Sequence, residues 1–203
     1  MTYAEIRAQF IAILNRSDCT DAQADTFIDA GIKRSQRILS LITQERIDTV
    51  TVGSTFTGID IPSDFIKPIA IYRDEYKLRR VSLAQYLETP SEVGEPLVWT
   101  RDQSQFLLRP TPSEGAILKV LYYGEFETFA TDATETTLSA ISPQLFYYGG
   151  LVFAGDYFLD DRKSLWEDVY LKTVTELQGQ SDDEELAGGA VVSPAYLYPS
   201  QEY

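Results

Sequence analysis

The 203-residue chain has no histidine, a single cysteine and a single methionine. Without histidine, the commonest general base and metal ligand is missing, and with it every Ser-His-Asp, Cys-His and zinc-deaminase arrangement. A solitary Cys19 builds no disulfide framework and lends no support to secretion; it reads as a small semi-buried or loop residue rather than a nucleophile. No stretch of about eighteen uninterrupted apolar residues occurs, and the opening MTYAEIRAQF carries charge early, so neither a membrane span nor a signal peptide is expected. GxGxxG, GxxxxGK(S/T), CxxC and the EF-hand loop are also missing, and Gly53 and Gly58 lack the strand-loop-helix setting of a phosphate cradle. Adjacent carboxylates such as Asp160-Asp161 and Asp182 to Glu185 do not all converge on one ion. No metal and no cofactor are expected.

Positive charge is scarce too: 17 Lys and Arg face 31 Asp and Glu, a formal net charge of −14. That argues against general affinity for a nucleic-acid backbone or an anionic membrane, though an acidic wall suits DNA that must slide past rather than stick. The imbalance is uneven. Residues 1–89 hold 11 basic against 12 acidic side chains, and residues 90–203 hold 6 against 19, so the two parts carry −1 and −13.

What is present is apolar periodicity and turn chemistry. Thr2 with Glu5, and Thr20 with Gln23, are capping-box patterns. Behind the first, Ile6, Phe10, Ile13 and Leu14 form a stripe of about thirteen residues; behind the second, Ala24, Phe27, Ile28, Gly31, Ile32, Ser35, Ile38, Leu39 and Ile42 run to about residue 43. The two helices are expected as an antiparallel hairpin, with Lys33, Arg34 and Arg37 either solvated or facing an acidic neighbour. Alternation then takes over. The stretch 47–61 reads as one or two strands; Ser63 to Ile66 as a helical turn before a strand at Ile69 to Tyr72; Asp74-Glu75 as a turn; Tyr76 to Arg79 as a strand; and Ser82 as the cap of a short helix with Leu83, Tyr86 and Leu87 inside. Leu97 to Arg101 and Gln105 to Arg109 resemble a hairpin, and Ala116 to Tyr123 is the clearest and most central strand.

Residues 142–178 are the organising stretch. Ser142 is expected to cap, Pro143 to open the helix and Ile141 to act as a staple, with Leu145, Tyr148, Leu151, Val152, Gly155, Phe158 and Leu159 buried. After Asp160 to Lys163, either a break or a continuous helix, the stripe resumes at Leu165, Trp166, Val169, Tyr170, Val174 and Leu177. The predicted fold is α+β: a mainly helical bundle with a small antiparallel β-region between an N-terminal hairpin and long C-terminal helices. The expected organisation is a single domain over 1–180 (hairpin 1–45, β-region 46–125, helices 138–178) and an extended acidic and aromatic arm over 181–203.

Two residue sets stand out as contact candidates. Val191, Val192, Tyr196, Leu197, Tyr198 and Tyr203 are sticky side chains in a stretch unable to close its own core, suited to lying along another protein. Arg79, Arg80, Arg101 and Arg109 either form isolated ion pairs on a sheet surface or, if the strands stack, one cationic edge for a subunit contact. No catalytic residues emerge. A carboxylate-dependent hydrolase needs only Asp or Glu, but nothing fixes a pair at a working separation.

In their order, the segments MTYAEIRAQF, FIDAGIKRSQRIL, IDIPSDFIKPIAIY, YKLRRVSLAQYLE, QFLLRPTPSEG, LYYGEF and GLVFAGDYFLDDR resemble the head-to-tail connector proteins of tailed bacteriophages, the portal adaptors of head completion. The resemblance spans roughly residues 2–178. It implies a non-enzymatic virion protein, assembled in the host cytoplasm, that forms a homo-oligomeric ring of twelve copies at the head-to-tail interface. It further implies contact with the portal through the C-terminal arm, contact with tail or nozzle proteins, and double-stranded DNA passing through the channel without sequence-specific binding. A tail-completion protein at another level of the tail follows the same structural logic.

Overall fold

The computed structural model describes residues 1–187 and has an α+β fold with two separate hydrophobic cores, one helical and one between sheets. Both expected capping boxes form: Thr2 with Glu5 starts α1 (Tyr3–Leu14), and Thr20 with Gln23 starts α2 (Asp21–Ile38). Each box satisfies backbone N–H groups that have no partner inside the helix. Asn15, in the left-handed region that Asn tolerates, ends α1. Two further boxes form, Ser82 with Gln85 and Thr136 with Ser139, the latter opening the short α4 (Thr137–Ile141).

The helical core is built around α5 (Gln144–Phe158), which touches α1, α2 and α6 (Lys163–Ala187). Its Leu145, Phe146, Leu151, Val152 and Ala154 are buried against Ile6, Phe10, Leu14, Ala24 and Ile28, with Trp166 and Tyr170 closing the α6 side. Helices α2 and α5 cross with their backbones in contact. A Cβ placed on Gly31 would lie 2.6 Å from both the Gly149 carbonyl carbon and the Gly150 nitrogen, and one on Gly150 would lie 3.1 Å from the Ile28 backbone. Only glycine permits that approach, and its ordinary helix-weakening cost is offset by the packing it allows.

The second half is two small sheets packed face to face. One has the order β1-β8-β3-β4, using β1 (Glu45–Thr51), β3 (Phe65–Arg73), β4 (Tyr76–Lys77) and β8 (Ile117–Gly124). The other has the order β2-β7-β6-β5, using β2 (Ile59–Asp60), β5 (Arg79–Arg80), β6 (Val98–Arg101) and β7 (Gln105–Arg109). All pairings are antiparallel except β5 with β6. Val52, Ile59, Ile71, Leu78, Trp99, Phe106, Leu118 and Val120 fill the space between the sheets. As expected, β8 is central, flanked by β1 and β3. Pro68 sits inside β3 beside a register shift, along a stretch whose other edge is unpaired, so its missing N–H breaks no ladder.

Several expectations are corrected. Tyr76 to Arg79 is not one strand: buried Leu78 carries the chain from the first sheet into the second. The turn expected at Ser63 to Ile66 is shorter, closed by the Phe65 N–H on the Pro62 carbonyl at 3.1 Å, since β3 already starts at Phe65. Helix α2 stops at Ile38 rather than near 43 because α6 captures the next backbone groups. Gln178 bonds both the N–H (2.9 Å) and the carbonyl (3.2 Å) of Ser40, and Ser181 Oγ accepts from the Ile42 N–H at 3.0 Å. Ser142 caps nothing with its side chain; it closes α4, Pro143 takes the cap position of α5, and Ile141 is exposed. Helix α6 continues to Ala187, so residues 181–187, read as the start of an arm, are helical.

The choice left open at 160–163 resolves as a break. Leu159 adopts the left-handed conformation, and Asp160 gathers the Arg162 N–H (2.9 Å), Nε (2.9 Å) and Nη2 (2.7 Å). Arg162 Nη2 also donates to the carbonyl of Leu14 at 2.8 Å, tying the break to the end of α1. Bonding from Arg162 holds the Asp160 carboxyl down at about 2.

Gly31→Ala is therefore expected to lower unfolding free energy by about 3 kcal/mol. Gly179→Ala, at a helical position where an added Cβ meets nothing within 4 Å, should raise it by up to ~1 kcal/mol; denaturant titration of both variants checks the contrast. Because the folded Asp160 pKa is depressed, its stabilisation is full above the unfolded value of 3.8 and is lost as pH falls towards about 2. The stability gap between the native chain and Asp160→Asn should thus narrow across that acidic window and stay constant above it, as measured by melts at stepped pH.

Candidate functional site

The four arginines, for which one shared edge was one of two alternatives, lie on two faces of their sheet. Strand alternation sends Arg80, Trp99, Arg101, Phe106 and Leu108 to one face of their sheet and Arg79, Val98 and Arg109 to the other. On the first face, the guanidinium of Arg80 lies 5.4 Å from the Trp99 ring centre and that of Arg101 lies 4.9 Å from Phe65. These two rings meet through Phe106, at 5.6 Å from Trp99 and 5.5 Å from Phe65. The arginines therefore bracket an aromatic cluster, each held by the ring quadrupole while its charged end stays exposed. No ion pair forms at any of the four among the described residues.

Arg109 has an internal duty. Helix α3 (Leu83–Glu88) lies over β6, and Arg109 stands 4.4 Å over the Tyr86 ring. Its Nη1 donates to the carbonyls of Tyr86 (3.1 Å), Leu87 (3.1 Å) and Thr89 (2.8 Å). A cation at the carbonyl end of a helix satisfies orphan acceptors and matches the dipole.

The sequence reading missed an apolar surface on this half. Of the three α3 positions expected inside, only Tyr86 is buried; Leu83 is 51 % and Leu87 64 % exposed, and Val93 and Leu97 in the following loop are 74 % and 65 % exposed. The i, i+4 spacing of Leu83 and Leu87 was the available signal, read as a core stripe when it is an outward one. Arg79 belongs to the same neighbourhood, its N–H bonding the Leu97 carbonyl at 2.9 Å. The arm candidates Val191, Val192, Tyr196, Leu197, Tyr198 and Tyr203 lie outside the described residues.

On the helical half the charged groups serve packing. Arg34 makes a two-bond contact with Glu167 between α2 and α6 and lies over the Tyr170 ring at 4.7 Å, which lowers the Glu167 pKa through the hydrogen bonding. Lys33 pairs with Asp29 one turn earlier at the surface, and Arg37 returns to the Lys33 carbonyl. Tyr147 and Tyr148 are half-buried at the core edge, while Tyr157 is exposed.

A two-carboxylate reaction requires one carboxyl that keeps its proton. Asp18, Asp160 and Glu167 are instead all shifted down, each chiefly by hydrogen bonding from an arginine. The open hollow of about 370 Å³ beside Asp25, Asp29 and Glu125 has Asp25 bound by Arg7 and Asp29 by Lys33. Burial raises the pKa of the half-buried Cys19, which keeps it a thiol. Among the described residues, no cluster of three or more His, Cys, Asp or Glu is arranged to hold a metal, and no helix is long and apolar enough to cross a membrane.

Replacing Arg109 with Gln should fray α3 without unfolding the sheets. Amide exchange in residues 83–89 is expected to accelerate, with an overall stability loss of about 1–2 kcal/mol; unchanged exchange there would contradict the capping role.

No curated protein matches the chain. A family model described as SU10 adaptor protein matches residues 1–194, spanning the helical half, the sheet half and all of α6. The chain belongs to the SU10 adaptor protein family, a family of phage head-to-tail adaptors.

Proposed function

We propose that this protein is a non-enzymatic structural adaptor of the virion. In this reading, copies close a ring, twelve by the family resemblance, dock beneath the portal and continue the DNA channel towards tail or nozzle proteins. The observation that carries it is the family match across residues 1–194, which takes in both halves of the fold. The surface supports it: Leu83, Leu87, Val93 and Leu97 expose apolar area beside Arg79, a mixture suited to protein contact. Arg80 and Arg101, stacked on aromatic rings with their charge outward, are the next contact candidates.

The net charge of −14 favours a channel wall that lets a duplex slide without trapping it. The arm carrying Val191, Val192, Tyr196, Leu197, Tyr198 and Tyr203 is assigned to the portal. Because residues 181–187 belong to α6 and Ser181 anchors the chain after α2, the arm is better taken to start at 188. Assembly at the head-to-tail interface, in the host cytoplasm, follows from the same reading.

A chain ending at Ala187 is expected to keep its fold and to lose co-sedimentation with the portal. Undiminished portal binding by that chain would remove the arm from the proposal. Leu87→Asp with Val93→Asp should likewise keep the fold and abolish association between copies, read by native mass spectrometry.

A further inference from the structure

The last turns of α6 line a groove that the described residues leave open. Leu41, Ile42, Leu138, Ile141, Leu177 and Ser181 surround an apolar hollow of about 60 Å³. Ile141, Leu177 and Gln180 continue it into a second hollow of about 170 Å³, lined also by Ser142 and Thr173. Ile42 is 38 % and Ile141 53 % exposed on its rim, beside buried Leu41 and Leu138. At the floor, Ser142 is 6 % exposed, and its Oγ has no hydrogen-bond partner among the described residues. A buried hydroxyl without a partner is costly, and native structures rarely leave one so.

The position and length of the remaining chain suit it to this groove. Residues 188–203 begin one helical turn beyond Glu184, the last α6 residue lining it. Gly188 and Gly189 supply the freedom for a reversal. From Glu184 back to Thr173 the helix spans roughly 16 Å at 1.5 Å per residue, which about five extended residues cover at 3.3 Å each. Residues 190–198, AVVSPAYLY, are long enough. They are uncharged, as is every residue from Leu186 to Gln201, so they meet no repulsion from Glu176 and Glu184 on the rim.

We propose that residues 190–198 double back along α6 and lie in the groove of the same molecule. Val191 or Val192 enters the hollow between Ile42 and Ile141, and a backbone group of the returning strand meets Ser142 Oγ. This concerns the chain by itself and does not rest on the portal reading; in the adaptor it would keep the sticky segment covered until a partner takes it.

The test uses the full chain with Cys19→Ser. Ile141→Cys is paired with Val192→Cys, and Thr175→Cys, an exposed α6 position within the same reach but outside the groove, is paired with the same Val192→Cys as the control. Under dilute oxidation the groove pair is expected to form an intrachain disulfide about tenfold faster than the control pair, a difference of one decade in effective concentration. Equal rates would overturn the proposal. So would disulfides formed only between chains, which would assign the groove to a second copy's tail. Amide exchange gives a readout independent of cysteine geometry: residues 190–198 should be protected in the native chain and lose protection in Ile141→Asp. Exchange equally fast in both would also overturn it.

Discussion

The backbone contact between α2 and α5 at Gly31, Gly149 and Gly150 is the constraint on which the rest of the molecule depends. It sets the distance between the two helices below what any side chain allows, and it makes α5 the shared wall of the helical core. Once α5 is fixed, Tyr170 of α6 reaches across it. Its ring lies 3.3 Å from where a Gly149 Cβ would be, its hydroxyl lies 3.1 Å from Ser35 Oγ, and Ser35 in turn donates to the Gly31 carbonyl at 2.8 Å. Arg34 and Glu167 close the same junction from outside. Burial raises the Tyr170 pKa, so the phenol stays neutral in this dry contact.

The sheet half hangs on that body through a few polar bonds. Gln36 Oε1 accepts from the Phe126 N–H at 3.4 Å, Gln44 Nε2 donates to the Gly124 carbonyl at 3.3 Å, and Lys67 reaches Ser40 Oγ at 3.0 Å. With Gln178 and Ser181 holding residues 40–42, the last turns of α6 are part of the hinge region between the halves. That arrangement suits a joining piece, which must hold its two faces in fixed relation.

Local chemistry was legible in the sequence. The capping boxes at Thr2 and Thr20 need only residues three apart, and the turn at Asp74-Glu75 needs only its own pair, so both were readable before any partner was known. The stop of α2 at Ile38 was not, because it depends on Gln178 and Ser181, about 140 positions away. Nor was the division into two sheets, since strand partners are non-local and the crossing at Leu78 has no local mark. The run Asp182 to Glu185 read as the start of an arm because the stretch from 181 cannot close its own core, and acidic residues also oppose the dipole at a helix C-terminus. Tertiary anchoring at Ser181 overrides that preference. Arginine is a type that stacks on rings, but which rings Arg80, Arg101 and Arg109 meet comes only from register. The outward Leu83 and Leu87 carry the same spacing as a core stripe, and burial alone separates the two cases.

An adaptor of this family is expected to act by shape and surface. The carboxylates with shifted pKa values are drawn into ion pairs, the helical core is closed by close packing, and the sheet half presents the exposed apolar and stacked cationic side chains. The most direct test of its assignment as a portal-docked ring is electron microscopy of the full chain mixed with the portal of its phage. The expected image is a closed ring capping the portal, with its opening aligned on the portal channel and each copy showing the α2–α5 crossing undistorted. Portal particles left bare, with the chain dispersed as single copies beside them, would contradict it.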